Sequence, residues 1–325
     1  MTQTVIVSAP GKVHLMGEHA VVHGAPALLS AINRRVIVSV TTSQSGLKIQ
    51  SNIEHALKKQ ADKLIAESVR VVCERFHISP APSVLISVNS GIPAGRHLGS
   101  SAAVSVATVG ALLYFFKKIW NPELINTLAF EVEKIQHGTP SGGDNSACTY
   151  GGFIWFRKEL DFLKTIWQLP YLVHKNLSPF YLIDTGQPEE NTGEMVALVR
   201  KFMDELEDNG RLLLFQNEQA TKDVATAVKY GNEALLIDAI KRGEKTLEGM
   251  GVVSPAILPL IQDIEKAGGA AKILGGGGKR GAVGYVLAYY RDKKKLHDIV
   301  KKHGYELESV VLAEEGVRLE SGRNK

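Results

Sequence analysis

Two acidic residues are spaced so that they can serve one reaction: Glu133, in a helical pattern, and Asp144, in a glycine-rich stretch that follows. Because Gly142 and Gly143 precede Asp144, the backbone can turn tightly there and present the carboxylate into a cleft. The structural alternative is an Asx turn, in which Asp144 caps its own backbone. Phosphoryl transfer to an alcohol needs one acid for a metal ion and one for a proton, so the pair predicts that chemistry.

A lysine near the N-terminus can supply positive charge to such a site. Lys12 follows a Pro-Gly pair in APGKVHLMGEHAVVHG (9–24), where we expect an exposed cation on a stiff turn at the end of a strand. In the alternative interpretation, Lys12 is a solvated turn residue with no role in the reaction. His19 and His23 in the same motif have the spacing of zinc ligands on a helix, but the glutamate precedes His19 and no third ligand is evident. The zincin order H-E-x-x-H is therefore absent, and we do not predict a zinc site.

The stretch GIPAGRHLGSSAA (91–103) has the composition of a phosphate-binding loop. A predicted strand at 83–88 precedes it, and an apolar run at 100–120 follows it, beginning with Ser100 and Ser101. Backbone N–H groups and the positive end of the helix would converge there, which suits a phosphate. A tight turn before a buried helix, with the serines as N-caps, is the alternative. The Walker pattern is absent here and at 275–280, so a P-loop NTPase is excluded.

A second glycine cluster occurs in AAKILGGGGKRGAVGY (270–285), between two predicted strands. It could wrap a phosphate or a substrate with bare backbone, or it could be a glycine-rich hairpin. Such a run loses much conformational entropy on folding, so we favour a ligand as its reason.

The hydrophobic pattern predicts strands, helices and the loops between them, and these elements position the candidate residues. The expected strands are at 4–8, 36–42, 83–88, 153–156, 180–184, 271–273 and 283–290. The expected helices are at 53–76, 100–120, 121–136, several within 193–266, and 293–303. Glycine loops give way to long helices near residue 180, which predicts two domains, 1–180 and 181–325.

Composition favours a folded protein of the cytoplasm. The chain has 325 residues, 44% of them hydrophobic and 22% charged, and a net charge of +4. So mild a charge permits an anionic small molecule and gives no reason to expect nucleic acid. The first 15 residues lack the pattern of a signal peptide, and the longest apolar stretch, near 102–116, is too short to span a bilayer. Two cysteines cannot form a disulfide framework.

Taken in order from residue 8 to residue 285, these four stretches resemble the GHMP kinase superfamily, whose members bind ATP without a Walker motif. GEHAVVHG (17–24) and HGTPSGGDN (137–145) are similar to the versions in its mevalonate kinases, whereas galactokinase-like members read differently after GEH. The resemblance implies an α+β fold of two domains. The N-terminal domain would be like ribosomal protein S5 domain 2, and the C-terminal domain would be ferredoxin-like. It also suggests a homodimer.

The resemblance implies a role for each motif residue. The ATP phosphates would lie on one run of residues: Gly95, Arg96, His97, Leu98, Gly99, Ser100 and Ser101. Ser101 and Glu133 would hold Mg²⁺. Asp144 would take the proton from the substrate hydroxyl, and Lys12 beside it would stabilise charge on the oxygen.

The substrate pocket follows from the same resemblance. His19 and Thr192 would line the mevalonate pocket, and Glu18 would support its wall. The implied activity is ATP- and Mg²⁺-dependent phosphorylation of the primary hydroxyl of mevalonate. Two alternatives stay open. One is another GHMP kinase acting on a phosphorylated mevalonate or a sugar, and the other is a catalytically silent nucleotide-binding regulator, which would need no base.

The chain departs from the family pattern at two places. His97 replaces the first glycine of G-L-G-S-S, and the 275–284 cluster is shifted and carries Lys279 and Arg280. We expect His97 either to point away or to lean over the phosphates with a raised pKa, because nearby negative charge favours the imidazolium. Lys279 and Arg280 would favour a more anionic substrate.

Overall fold

Two long strands organise the first of two sheets. The computed structural model describes residues 4–79, 83–137, 140–160, 162–177, 179–206 and 208–320. In it β1 (Thr4–Met16) and β2 (Pro26–Thr42) pair antiparallel along most of their length. The other strands of this seven-stranded sheet are β3 (Leu47–Ser51), β4 (Val84–Ser90), β5 (Phe153–Lys158), β6 (Lys164–Leu169) and β11 (Arg318–Leu319). The order is β11-β1-β2-β4-β3, and β5 also pairs with β2 and carries β6 outside it.

Helices from the first half of the chain pack on this sheet. They are α1 (His55–Phe76), α2 (Ser100–Lys117), α3 (Pro122–His137) and α4 (Gly143–Tyr150). Because α2 is apolar nearly all round, it lies at the centre of the layer, and its residues Ala102–Leu113 are buried. By length and composition alone α2 is long enough to cross a membrane, but two thirds of it is buried inside the protein, as expected of a core helix.

The second sheet has four antiparallel strands, β7 (Phe180–Asp184), β8 (Ala270–Ile273), β9 (Tyr285–Tyr289) and β10 (Glu306–Val310). Their spatial order is β10-β7-β9-β8. Its helices are α5 (Thr192–Leu206), α6 (Asp208–Tyr230), α7 (Glu233–Gly249), α8 (Leu258–Lys266) and α9 (Lys293–Lys302). Four strands in the order 4-1-3-2, with helices after the first and third, form the βαββαβ arrangement of a ferredoxin-like fold, as expected.

The two sheets share an apolar core. Its largest cluster joins β1 and α2 to residues of α6 and to the inner face of the second sheet, including Val224, Leu182 and Leu287. The chain also returns at its end, since β11 pairs with β1. The domain boundary at residue 180 stays a prediction; all strands of the second sheet follow it, and β11 rejoins the first sheet.

The sequence pattern located most elements and misjudged several. The strand expected at 4–8 extends to Met16, and the strand expected at 36–42 begins at Pro26. Strands β3, β6, β10 and β11 were not expected, and a helix, α4, occupies part of the loop predicted after residue 136. Gly138 and Thr139 of that motif lie outside the described residues.

Candidate active site

Lys12 lies inside β1 and not on a turn at its end. The Pro-Gly pair shifts the register with β2 between Pro10 and Gly11, but the strand continues on both sides of the shift. The side chain of Lys12 is only 2% exposed. The expectation of an exposed turn lysine is therefore wrong: a bulge admits the Pro-Gly pair without ending the strand. A buried ammonium requires a partner, and the structure supplies one.

That partner is Asp144. The Nζ of Lys12 lies 3.1 Å from Oδ2 of Asp144, whose side chain is 37% exposed. Asp144 stands in the first turn of α4, after Gly142 in a left-handed conformation. The tight turn predicted around Asp144 is thus the start of a helix, whose N-terminal end favours a carboxylate. One member of this ion pair is enclosed, and the other faces solvent, where a substrate can reach it.

The 91–99 loop meets the same pair. The backbone N–H of Lys12 donates to the carbonyl of Leu98 at 3.0 Å. Gly99 follows with φ of 74°, and a Cβ there would lie 2.8 Å from Cγ of Lys12. Only glycine combines that left-handed conformation with so close an approach. The loop therefore positions the N-terminus of α2 next to the Lys12–Asp144 pair.

Ser100 and Ser101 are the first two residues of α2, and Gly99 is the N-cap. Gly99 has no side chain and no side-chain cap is found among the described residues, so the alternative in which the serines act as N-caps is wrong. The backbone N–H groups of the first turn are thus left for another acceptor, as a phosphate site requires.

Glu133 faces Ser101 from α3. The carboxylate is buried and accepts a hydrogen bond from the Ser101 side chain, while its Oε1 has no partner within the described residues. Burial raises the pKa of Glu133 to about 8, and the negative charge of Asp144 acts in the same direction. A buried carboxylate oxygen without a partner is costly, which a bound cation would relieve.

These donors suit Mg²⁺ and not zinc. Mg²⁺ uses one or two protein oxygens and completes its shell with phosphates and water. In the described part of the chain, no group of three or more His, Cys, Asp or Glu residues is arranged to hold a metal ion. His19 is the N-cap of a short 3₁₀ turn, Ala20–His23, and His23 is the last residue of that turn.

The side chains of Arg96 and His97 turn toward the second sheet. Arg96 forms an ion pair with Asp184 at the end of β7. His97 lies against the 275–284 loop, with Nε2 3.3 Å from the carbonyl oxygen of Gly277. Burial lowers the pKa of His97 to about 4, and the positive charge of Lys12 acts in the same direction. Burial thus shifts the pKa of His97 in the direction opposite to the rise expected beside phosphates.

The predicted substrate residues His19 and Thr192 lie beside the same 275–284 loop. The Nε2 of His19 is 3.1 Å from the carbonyl oxygen of Gly276, and its Nδ1 is buried without a partner in the described residues. Burial lowers the pKa of His19 to about 4, so the ring is neutral near pH 7. Glu18 is buried and ion-paired with Lys272 of β8. Thr192 begins α5, with its hydroxyl 3.5 Å from Nδ1 of His97.

Two residues at the site escaped sequence reasoning. His14 is buried on the same face of β1 as Lys12, and its Nδ1 lies 3.2 Å from the Lys12 Nζ. Burial lowers the pKa of His14 well below its ordinary value, so the neutral ring accepts a hydrogen bond from the ammonium. The i, i+2 spacing on a strand was the available signal. Lys272 gave no signal, because its partner Glu18 is distant in sequence.

Comparison with known proteins places this geometry in a family. Residues 63–152 match the profile described as "GHMP kinases N terminal domain". Residues 2–42 match the "Galactokinase galactose-binding signature", which covers β1, β2 and the turn between them.

Full-length relatives extend the likeness over the whole chain. A mevalonate kinase of Archaeoglobus fulgidus is 33% identical, with 97% of this chain and 99% of the relative aligned. One of Thermococcus sibiricus is 30% identical, with 97% and 98% aligned. The crystal structure of L. major mevalonate kinase in complex with R-mevalonate superimposes with a TM-score of 0.79 at 22% identity, covering 97% of this chain and 98% of that one. The predicted two-domain α+β fold is confirmed.

Proposed function

Since this chain belongs to the mevalonate kinase family of the GHMP kinases, we infer that it transfers the γ-phosphoryl group of ATP to the primary hydroxyl of mevalonate. The product is 5-phosphomevalonate, an isoprenoid precursor. The observation that supports a working catalyst most directly is the 3.1 Å ion pair of Lys12 and Asp144 next to the N-terminus of α2. A protein that only bound nucleotide would have no use for a buried lysine paired with a half-exposed carboxylate.

In the proposed reaction, Asp144 accepts the proton of the hydroxyl while the oxygen forms a bond to the γ-phosphorus. The bond from that phosphorus to the β–γ bridging oxygen breaks, and ADP leaves with the electron pair. Lys12 stabilises the negative charge that develops on the attacking oxygen. The neutral ring of His14 also accepts a hydrogen bond from this ammonium, which restricts its direction.

The nucleotide would lie along residues 95–101, with phosphate oxygens on the free N–H groups of the first turn of α2. Ser101 and Glu133 would hold Mg²⁺, which when bound neutralises charge on the phosphates and orients them. The partnerless Oε1 of Glu133 supports that assignment.

The substrate would lie against His19, Thr192 and the turn next to Glu18. The ion pair between Glu18 and Lys272 holds that turn in place. If Nε2 of His19 donates to the carbonyl of Gly276, its Nδ1 is an acceptor with no donor. A hydroxyl of the substrate would supply that donor. This gives His19 a direct role in binding and Glu18 an indirect one.

The alternatives have less support. Glu190 accepts a hydrogen bond from the backbone N–H of Lys279 at 3.2 Å, so a carboxylate lies next to the two added cations. Both Lys279 and Arg280 are exposed, and their neighbourhood is not a clear site for an extra phosphate. Nothing in this arrangement favours phosphomevalonate over mevalonate.

A substrate panel with ADP readout tests the proposal. Mevalonate, 5-phosphomevalonate and galactose are offered with ATP and Mg²⁺, and turnover is expected with mevalonate. The Asp144→Asn protein, purified in parallel, controls for contaminating kinases. Turnover of galactose or phosphomevalonate instead would assign the chain to another GHMP activity, and silence with every alcohol would support a nucleotide-binding regulator.

We further propose that the protein acts in the cytoplasm, without nucleic acid or membrane partners, and as a homodimer. The mild net charge of +4 gives no reason to expect nucleic acid. Light scattering after size exclusion tests the homodimer, with a mass near twice 35.3 kDa expected.

A further inference from the structure

His97 adopts a backbone conformation that side chains avoid. Its φ is 66°, in the left-handed region that favours glycine. Such a conformation is strained for a residue with a side chain, and it persists where the surroundings fix it. At the position where the family pattern has glycine, this chain therefore has a side chain in a conformation that something must stabilise.

The surroundings of His97 are three glycines of the 275–284 loop. A Cβ built on Gly275 would lie 2.6 Å from Cβ of His97, and one on Gly284 would lie 2.8 Å from Cδ2. A Cβ on Gly276 would lie 3.2 Å from Cε1 of the same ring. At these distances a side chain on any of the three glycines would collide with His97 or force it to shift. The loop therefore forms a notch that the imidazole occupies. We call this the His97 notch, made of Gly275, Gly276 and Gly284.

Two polar contacts fix the ring within the notch. Nε2 is 3.3 Å from the carbonyl oxygen of Gly277, and Nδ1 is 3.5 Å from the Thr192 hydroxyl. One neutral tautomer satisfies both contacts, with Nε2–H donating to Gly277 and Nδ1 accepting from Thr192. The ring is therefore oriented as well as enclosed.

The notch lies between the two halves of the site. Its Gly276 carbonyl contacts Nε2 of His19 at 3.1 Å, on the proposed substrate wall. The residue before His97, Arg96, forms an ion pair with Asp184 of the second sheet. Arg96 and His97 thus connect the 91–99 loop to the domain that carries Thr192.

We propose that His97 is a positioning residue that holds the 91–99 loop against the substrate wall, so that binding of nucleotide and binding of the alcohol favour each other. This inference rests on the proposed function. The coupling is expected because His97 contacts the 275–284 loop, whose Gly276 carbonyl contacts His19, so a ligand that stabilises one of these segments also stabilises the other.

A double-mutant cycle tests the notch without any ligand. Gly276→Ala is introduced into the wild-type chain and into His97→Gly; the φ of Gly276 is not in the left-handed region, so alanine meets no backbone strain there. We expect alanine to lower the Tm by about 3 °C more when His97 is present than when it is absent. Equal effects in the two backgrounds would overturn the notch.

Ligand titrations test the coupling. The Kd of mevalonate is measured by calorimetry with and without Mg²⁺ and a non-hydrolysable ATP analogue. We expect the analogue to tighten mevalonate binding about tenfold in the wild type and less than threefold in His97→Gly. His97→Asn, which tolerates the left-handed conformation and keeps an N–H donor, should lie between them.

A matched control is available in His77→Gly. His77 is also left-handed, with φ of 52°, but it lies at the C-terminal end of α1, far from the notch in sequence and in contacts. It should leave the coupling unchanged. The proposal is wrong if the ATP analogue still tightens mevalonate binding about tenfold in His97→Gly. It is also wrong if the only change in His97→Gly is tighter binding of the nucleotide. A wild type that binds no mevalonate would instead refute the proposed function, and the ligand-free cycle would still decide the notch.

Discussion

Replacing Glu133 with glutamine should remove a pH dependence of stability that this one carboxyl creates in the metal-free protein. Burial and the charge of Asp144 raise the pKa of Glu133 to about 8, from an ordinary value near 4.5. The folded chain therefore binds this proton more tightly than the unfolded chain. The resulting stabilisation is complete below about pH 4.5 and is lost as the pH rises through about 8.

The size of the effect follows from those two pKa values. The proton on Glu133 stabilises the folded state by about 2.7 kcal/mol at pH 6, about 1.4 kcal/mol at pH 7 and about 0.1 kcal/mol at pH 9. Glutamine keeps the shape of the protonated acid and does not titrate. Between pH 6 and pH 9 the wild type should thus lose about 2.6 kcal/mol more unfolding free energy than Glu133→Gln.

Urea denaturation in EDTA at several pH values measures this difference. Glu131→Gln is the control, because Glu131 lies on the same helix with an exposed side chain and an ion pair to Lys134, and it should follow the wild type. Added Mg²⁺ should restore the stability of the wild type at pH 9 and leave Glu133→Gln unchanged. Parallel pH profiles for wild type and Glu133→Gln would show that the carboxyl is ionised throughout, and the reasoning from burial would fail.

Three further substitutions address the reaction itself. Asp144→Asn should lower kcat by about 10²–10⁴ while binding of ATP persists, as measured by steady-state kinetics and calorimetry; near wild-type kcat would mean that Asp144 only begins a helix. Lys12→Met should lower kcat by about 10²–10³ with a nearly unchanged Tm, and a variant that simply unfolds would show a structural role. His14→Leu should lower kcat about tenfold with little change in either KM, because Lys12 loses the acceptor that directs it; a kcat equal to wild type would remove His14 from the site.

The sequence predicted the local parts of the site well, because each motif carries its own backbone geometry. Glycine before α2, glycine before α4 and the Pro-Gly pair in β1 all mark places where the chain bends or bulges. These local signals located each residue in its own segment, and the family resemblance then grouped Lys12, Asp144 and Ser101 in one predicted site. Burial was harder to predict: Lys12 reads as a turn residue until β2 is placed beside it, because a register shift leaves no clear mark in a single sequence.

Partners distant in sequence could not be predicted. Lys272 meets Glu18 across 254 positions, and His97 meets the Gly277 carbonyl across 180. Neither pair shares a motif, and a lysine in a short apolar strand reads as a surface residue. Such contacts form only when the ferredoxin-like domain packs on the first sheet.

The two departures from the family pattern illustrate this limit. Considered separately, a histidine in place of glycine at 97 reads as an obstacle to phosphate, and a shifted glycine run at 275–284 reads as a place for a ligand. In the structure the side chain gained at 97 fills the space that the glycines leave open. The entropic cost of the glycine run is then explained by an internal neighbour and needs no bound phosphate. His97 therefore packs against Gly275, Gly276 and Gly284 as one unit, at the edge of the proposed nucleotide site.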